Sequence, residues 1–390
     1  MGEWKEYKLG DLVVGNRGNY GIAAPAVDYD VNKYTYLRIT DINDDGTINK
    51  DGLKSVDDKN AVNYILRSND IVFARTGASV GRSYFYDKKD GVLVYAGFLI
   101  KFSIDPQKVN PKILKYYTHS QLYYDWIQTV DNGATRGNIN AQTYASMPLL
   151  LPDRKEQDRI VAILSSLDDK IDLLQRENKT LEAMAETLFN KTLSDKENDG
   201  TIEQFVSIQN GYAFKSKDFQ ERGVNGVIKI KNISGGVIDI NKTDCVGDDI
   251  IQGISSKFKV HTGDILIAMT GAEIGKLGII PSTNKDLWLN QRVGMLIEKY
   301  PGSKYIAYLQ LKSDYGQDFI ENAATGSAQP NISSSAIENC GFPLLDVSEI
   351  KALAYQLEGL YEKIIHNLGH INGLKLLRNE LLLKLMNSQV

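Results

Sequence analysis

Apolar side chains recur along residues 155–193 in alternating four- and three-residue steps, at Ile160, Leu164, Leu167, Ile171, Leu174, Leu181, Ala185 and Leu188. That spacing is the seam of a long amphipathic helix, interrupted only by Asn178. Residues 349–388 carry the same steps at Leu353, Leu357, Leu360, Ile364, Ile371, Leu374, Leu381 and Leu385, with Asn367 and Arg378 as polar interruptions. Two such seams in one chain predict an antiparallel helical pair. Setting Ile160 opposite Leu385 stacks Leu164 on Leu381, Ile171 on Leu374, Leu174 on Ile371, Leu181 on Ile364 and Leu188 on Leu357, and Asn178 then faces Asn367. A lone Asn in an apolar seam is costly, whereas two facing Asn side chains pair, so this register is favoured over its heptad-slipped neighbours.

Outside the helices the pattern changes to short alternating runs bounded by turns, and it occurs twice. YLRITDINDDGTIN at 36–49 answers VIKIKNISGGVIDIN at 227–241, and LRSNDIVFARTGASVGRSYFY at 66–86 answers VHTGDILIAMTGAEIGKLGII at 260–280. AGFLIKF at 96–102 answers VGMLIEK at 293–299, GATRGNIN at 133–140 answers GSAQPNIS at 326–333, and Pro148 answers Pro343. Offsets of 191 to 197 make this one duplicated unit of about half the chain, not a short-period solenoid. Helical stretches around 111–129 and 303–322 come late in each copy. The expected fold is α+β: two tandem globular domains of irregular, mostly antiparallel β-structure with helices, joined by two long antiparallel coiled-coil helices in a pseudo-twofold arrangement. The boundaries are 1–154 and 196–348 for the globular domains, and 155–195 and 349–390 for the helical spacers. A helix of 33 residues is about 50 Å long, which corresponds to roughly 15 base pairs at 3.4 Å each.

Composition narrows the class. No apolar run is long enough to cross a membrane and the N-terminus lacks a signal-peptide core, so the expected location is cytoplasmic. Cys245 and Cys340 lack metal-ligand spacing, and their small number suits a reducing compartment. Charge is nearly balanced: residues 1–154 hold 19 basic and 18 acidic side chains, and residues 194–348 hold 15 and 19. No segment is a polycation, so contact with nucleic acid must rest on local basic patches.

Reactive constellations are scarce. TGAEIGKLG resembles a phosphate-binding loop at Gly271, Gly275 and Lys276, but the glycine spacing is one residue short. Leu277 also stands where a hydroxyl should meet magnesium, and a strand pattern follows in place of a helix. His366 and His370 are four apart on a helix but outside its seam, without an HExxH pattern. No nucleophile motif, paired-cysteine zinc signature or amino-methylating motif is present. The pattern is that of a reader and not of an enzyme.

The opening WKEYKLGDL, the second-copy entry NGYAFKSKDF followed by IKIKNISGG, the paired NDIVFARTG and GDILIAMTG turns, the NIN and NIS loops, and the DDKIDLLQRENKTLE helix together resemble type I restriction-modification specificity subunits. The resemblance covers essentially the whole chain. It implies that each globular part is a target recognition domain reading one half of a bipartite site in double-stranded DNA. It further implies that the helices set the spacing and dock two methyltransferase subunits that methylate adenine, while restriction subunits join to translocate and cut. The subunit itself would be noncatalytic and bind no cofactor. S-adenosylmethionine would belong to the methyltransferases, and ATP with Mg2+ to the restriction subunits. The alternative is a noncatalytic coiled-coil scaffold for protein interactions.

Base reading calls for Arg or Lys against guanine and Asn or Gln against adenine, on loops that reach the groove. In the first domain the candidates are Arg17, Asn19, Arg38, Arg75, Thr76, Arg82, Arg136 and Asn138. In the second they are Lys215, Lys217, Lys229, Lys231, Thr270, Lys276, Gln291, Arg292, Gln329 and Asn331. Asn138 and Asn331 also suit a turn role, bonding the backbone. Arg136 against Gln329 is the contrast between copies that most suggests different reading.

Overall fold

The structure is a computed structural model and describes residues 4–132, 138–324 and 330–386. The chain divides into two compact units, Met1–Asp168 with Leu377–Val390, and Asp169–Leu376. Helix α1 (Arg154–Leu193) and helix α2 (Val347–Met386) each contribute one part to either unit. Both start on a built cap. Asp153 accepts from the Glu156 amide at 2.9 Å, and Asp346 accepts from the Ser348 and Glu349 amides while Glu349 accepts back from the Asp346 amide.

In the first unit a four-stranded antiparallel sheet runs in the order Asn19–Tyr20, Leu99–Ser103, Asp70–Ala74, Ser83–Phe85. A second four-stranded sheet pairs Tyr34–Leu37 in parallel with Leu93–Tyr95, and Lys5–Lys8 pairs with Pro148–Leu151 just before α1. The core packs Leu9, Phe73, Phe102, Tyr123 and Tyr144 with Ile160 and Leu164 of α1 and Leu382 and Met386 of α2. The seam therefore turns at its end. Leu382 and Met386 are buried, whereas Leu381 and Leu385, which the heptad steps select, are only half-buried. The polar interruption Arg378 is answered by Asp168, which it reaches at 3.1 Å. Asp168 also receives Lys115 Nζ at 2.6 Å and the Tyr116 hydroxyl at 3.0 Å.

The second unit repeats the plan with a six-stranded and a five-stranded sheet, and a two-stranded pairing of Gly200–Thr201 with Gly341–Phe342. Its largest core gathers Phe205, Ile267, Tyr305, Ile306 and Phe342 with Ala185 and Phe189 of α1 and Leu353, Leu357, Tyr361 and Ile364 of α2. Farther along the pair, Ile171, Leu174, Ile371 and Leu374 form an apolar layer. Beside it Asn367 Nδ2 donates to Asn178 Oδ1 at 2.9 Å and to Glu177 at 3.1 Å. Asn178 and Asn367 thus face each other, and among the described residues Asn367 Oδ1 is buried without a partner.

Strand registers correct two stretches of the repeat. Lys8 pairs with Pro148 and Thr201 with Gly341, while the Leu9 amide bonds Met147 O and the Ile202 amide bonds Cys340 O, so Pro148 answers Gly341 and not Pro343. Ala74 pairs with Leu99 and Ala268 with Val293, so Leu99 answers Val293 at an offset of 194. Matching AGFLIKF to VGMLIEK aligns Gly97 with Gly294, but these glycines do different work. Gly97 sits in a turn, while Gly294 lies within a strand where a Cβ would come within 2.9 Å of Ile208 and Met269 side chains. The true counterpart of Gly97-Phe98 is Gln291-Arg292.

Candidate nucleic-acid interface

In the first unit, the turns after Ala74, after Ala96 and before Ala141 meet at one edge. Tyr144 stacks on Phe73 at 4.7 Å and donates its hydroxyl to Ala74 O at 2.9 Å, fixing the strand end that carries Arg75. Tyr123 donates to Gly81 O at 2.6 Å, so the far side of the same turn is held from the core. Gly77 and Gly81 adopt φ of +70° and +85°, conformations that other residues rarely take. Gly271 and Gly275 do the same in the second unit, where a single 3-10 turn, Gly271–Glu273, leads into strand Leu277–Ile279, so the TGAEIGK stretch does not open a helix as a phosphate loop does.

Arg75 is the organised cation of this edge. Its guanidinium lies over the Tyr20 ring at 5.0 Å, and its Nε donates to Asn138 Oδ1 at 3.2 Å. Tyr20 is itself held, accepting from the Ala141 amide at 3.1 Å. Thr76 forms a backbone bridge with Asn138, and Thr270 forms the equivalent bridge with Asn331. Arg17 and Asn19 are exposed near the same strand. Thr270 Oγ1 is buried without a partner among the described residues, which gives that side chain no free donor at the surface.

Several other candidate cations are already engaged. Arg38 makes a two-point contact with Asp41, at 2.9 and 2.6 Å, and donates to Gly52 O, while Asp41 is buried. Lys229 and Lys231 converge on Asp244 at 2.8 and 2.9 Å, and Lys229 also sits over the Phe219 ring at 3.3 Å. Those lysines hold the Asp244 carboxyl below its ordinary value, Lys229 more strongly. Arg38, Lys229 and Lys231 therefore brace their own turns. Arg82 bonds Asp44 at 2.7 Å and Ile42 O at 3.1 Å, and Lys276 pairs with Glu273. Exposed pairs such as the last contribute about 0–1 kcal/mol, so Lys276 can exchange its carboxylate for a phosphate at little cost.

Lys215 precedes the short turn Ser216–Asp218 and Lys217 lies within it; both are exposed and have no ion-pair partner among the described residues. Gln291 and Arg292 are exposed at the tip of a tight turn. Arg136 and Gln329 lie outside the described residues. His366 and His370 have ring centroids 4.2 Å apart, and no third ligand joins them among the described residues. No described helix is long and apolar enough to cross a membrane.

Sequence reasoning passed over the aromatic members of this edge. Tyr20 and Phe98 in the first unit, and Tyr212 in the second, are large apolar side chains left substantially exposed beside the glycine turns. The available signal was an aromatic next to glycine in GNYG, AGF and NGY.

The family model for the type I restriction modification DNA specificity domain matches residues 1–183 and again 195–374. The chain is 25% identical over 381 residues to the type I restriction enzyme MjaVIII specificity subunit of Methanocaldococcus jannaschii, covering 92% of this chain and 86% of that one. It is 28% identical over 209 residues to the HindI specificity subunit of Haemophilus influenzae, covering 50% of this chain and 42% of that one. Its fold is similar to the crystal structure of a type I restriction-modification system S subunit from M. genitalium. That match has a TM-score of 0.58 at 16% identity and covers 100% of this chain and 97% of that one.

Proposed function

We propose, from the premise that this chain belongs to the type I restriction modification DNA specificity family, that it is the sequence-reading subunit of a type I restriction-modification complex. Each compact unit reads one half of a bipartite site in duplex DNA. The observation that carries this reading is a duplicated frame of turns presenting different side chains in its two copies: Arg75 with Phe98 in one, Gln291 with Arg292 in the other. A scaffold for a single protein partner has no use for such divergence on a shared frame.

In this reading the chain is noncatalytic. Helices α1 and α2 set the spacing of the half-sites and dock two methyltransferase subunits, which bring S-adenosylmethionine and modify an adenine in each half. Adenine chemistry within a duplex requires extrusion of the base, so a subunit that grips the neighbouring base pairs complements an enzyme that flips one. Restriction subunits with ATP and Mg2+ complete the assembly, and the complex works in the cytoplasm. Both cysteines are buried free thiols, which suits that compartment.

Modification-sensitive sequencing of host DNA, with the gene intact and deleted, tests the proposal. Loss of N6-methyladenine at one split motif with a fixed gap supports it. Unchanged methylation in a host that expresses the cognate methyltransferase favours the scaffold.

A further inference from the structure

The two units build the same corner from different side chains. In the first, the Leu99 amide donates to Ala96 O at 2.8 Å, closing a turn with Gly97 and Phe98 at its tip, and the Arg75 amide donates to Phe98 O at 3.1 Å. In the second, the Val293 amide donates to Asn290 O at 2.9 Å with Gln291 and Arg292 at the tip, and the Met269 amide donates to Arg292 O at 3.0 Å. Each corner therefore has a strand-end slot and a tip slot, joined by one backbone hydrogen bond. The strand-end slot holds Arg75 in one unit and Met269, only 5% exposed, in the other. The tip slot holds Phe98, 59% exposed, in one and the exposed Arg292 in the other.

We infer that this corner sets base identity in each half-site, with the cation moved from the strand end in the first unit to the tip in the second. This rests on the DNA-reading function proposed above. Neighbouring positions on paired strands are about 5 Å apart. That displacement exceeds the rise of one base pair, about 3.4 Å, so the two arginines leave the shared frame at different places. The chemistry of each slot follows. Arg75 is held through Nε by Asn138 and through its face by Tyr20, and its two terminal nitrogens have no partner among the described residues. A planar fork presented in that way fits guanine O6 and N7. Phe98 beside it is an apolar tip, and the apolar feature of the major groove is the thymine methyl. In the second unit Arg292 takes guanine, and Gln291 next to it supplies the paired donor and acceptor that adenine requires.

The test is selection from a randomised duplex DNA library by the full-length chain, comparing wild type with Phe98→Arg, Phe98→Leu and Arg292→Phe. Gly97 is left in place because a Cβ there would come within 3.3 Å of Ile22 O. Phe98→Arg is expected to shift preference at one position of one half-motif by about tenfold, equivalent to about 1.4 kcal/mol, and to leave the other half unchanged. Arg292→Phe is expected to do the converse, and Phe98→Leu to keep the wild-type base. The unaltered half-motif reports that the chain is folded. If Phe98→Arg abolishes all binding, Phe98→Leu decides: retention of thymine supports the assignment, and indifference at that position overturns it. A wild-type motif that survives every exchange within twofold overturns this inference alone. A wild-type chain that enriches no motif overturns the DNA-reading function and this inference with it.

Discussion

Asp168 offers a quantitative test of how the first unit is held. Its side chain is 16% exposed and receives Lys115, Tyr116 and Arg378. Asp168→Asn keeps the shape and one acceptor but removes the charge. Hydrogen bonds to charged groups contribute about 1.5–3 kcal/mol each, and stranding a buried partner costs more. Lys115 and Arg378 are 39% and 22% exposed, so both recover part of their hydration when the carboxylate is lost. The net cost is accordingly about 2–3 kcal/mol at pH 7. Burial pushes the Asp168 carboxyl up, but Lys115 and Arg378 outweigh it and hold it below its ordinary value. A depressed carboxyl stabilises the fold fully above its unfolded value of about 3.9, and that stabilisation is lost as pH falls toward the folded value. Urea unfolding followed by tryptophan fluorescence in a Trp288→Phe background isolates the first unit, because the remaining Trp4 and Trp126 both belong to it. Trp288 Nε1 is buried without a partner among the described residues, so that background change removes an unsatisfied donor. The stability gap between the chain that keeps Asp168 and its Asp168→Asn variant is expected to be full at pH 7 and to narrow below about pH 4. A gap under about 0.5 kcal/mol at pH 7, or one that stays constant down to about pH 3, would refute the reasoning.

Three further outcomes are expected. Asn178→Cys with Asn367→Cys should cross-link under mild oxidation whereas Asn178→Cys with Leu360→Cys should not, and leucine at both asparagines should raise stability by about 1 kcal/mol because Asn367 Oδ1 is left unpaired in the fold. Arg38→Ala should lower the thermal midpoint of the first unit, since Asp41 is then buried without its cation, while the motif selected by the chain from random DNA stays the same; a changed motif would return Arg38 to the reading surface.

The helical pair was legible because its signal is periodic and local. Seven-residue steps specify a seam, and Asn178 opposite Asn367 specifies which seam. The seam drifted in two places: unbroken leucines at 381–383 leave the pattern free to rotate and the core of the first unit takes Leu382 and Met386, and the core of the second takes Phe189 and Tyr361 while Leu188 and Leu360 stay half-buried. The duplication was legible too, apart from the slides of Gly97 onto Gly294 and of Pro148 onto Pro343. A glycine in a turn and a glycine under a neighbouring side chain look the same as letters. Candidate contacts were read less well, because a charged side chain shows its type and not its partner. Asp244 lies 15 residues beyond Lys229, and nothing local announces that the two meet. Arg75 became distinctive only once Tyr20 and Asn138, remote in sequence, were seen to hold it.

Dividing each long helix between the two units has a consequence for synthesis. Ile160 and Leu164 pack in one core with Leu382 and Met386, and the whole of Asp169–Leu376 is translated between them. At about 5–20 residues per second, that interval is on the order of 10–40 seconds. Throughout it the nascent first unit lacks the part of its core that Leu382 and Met386 supply, while the second unit is still being made. The order in which the ribosome delivers the chain is therefore opposite to the order in which the units close: the segment that is translated first is sealed last.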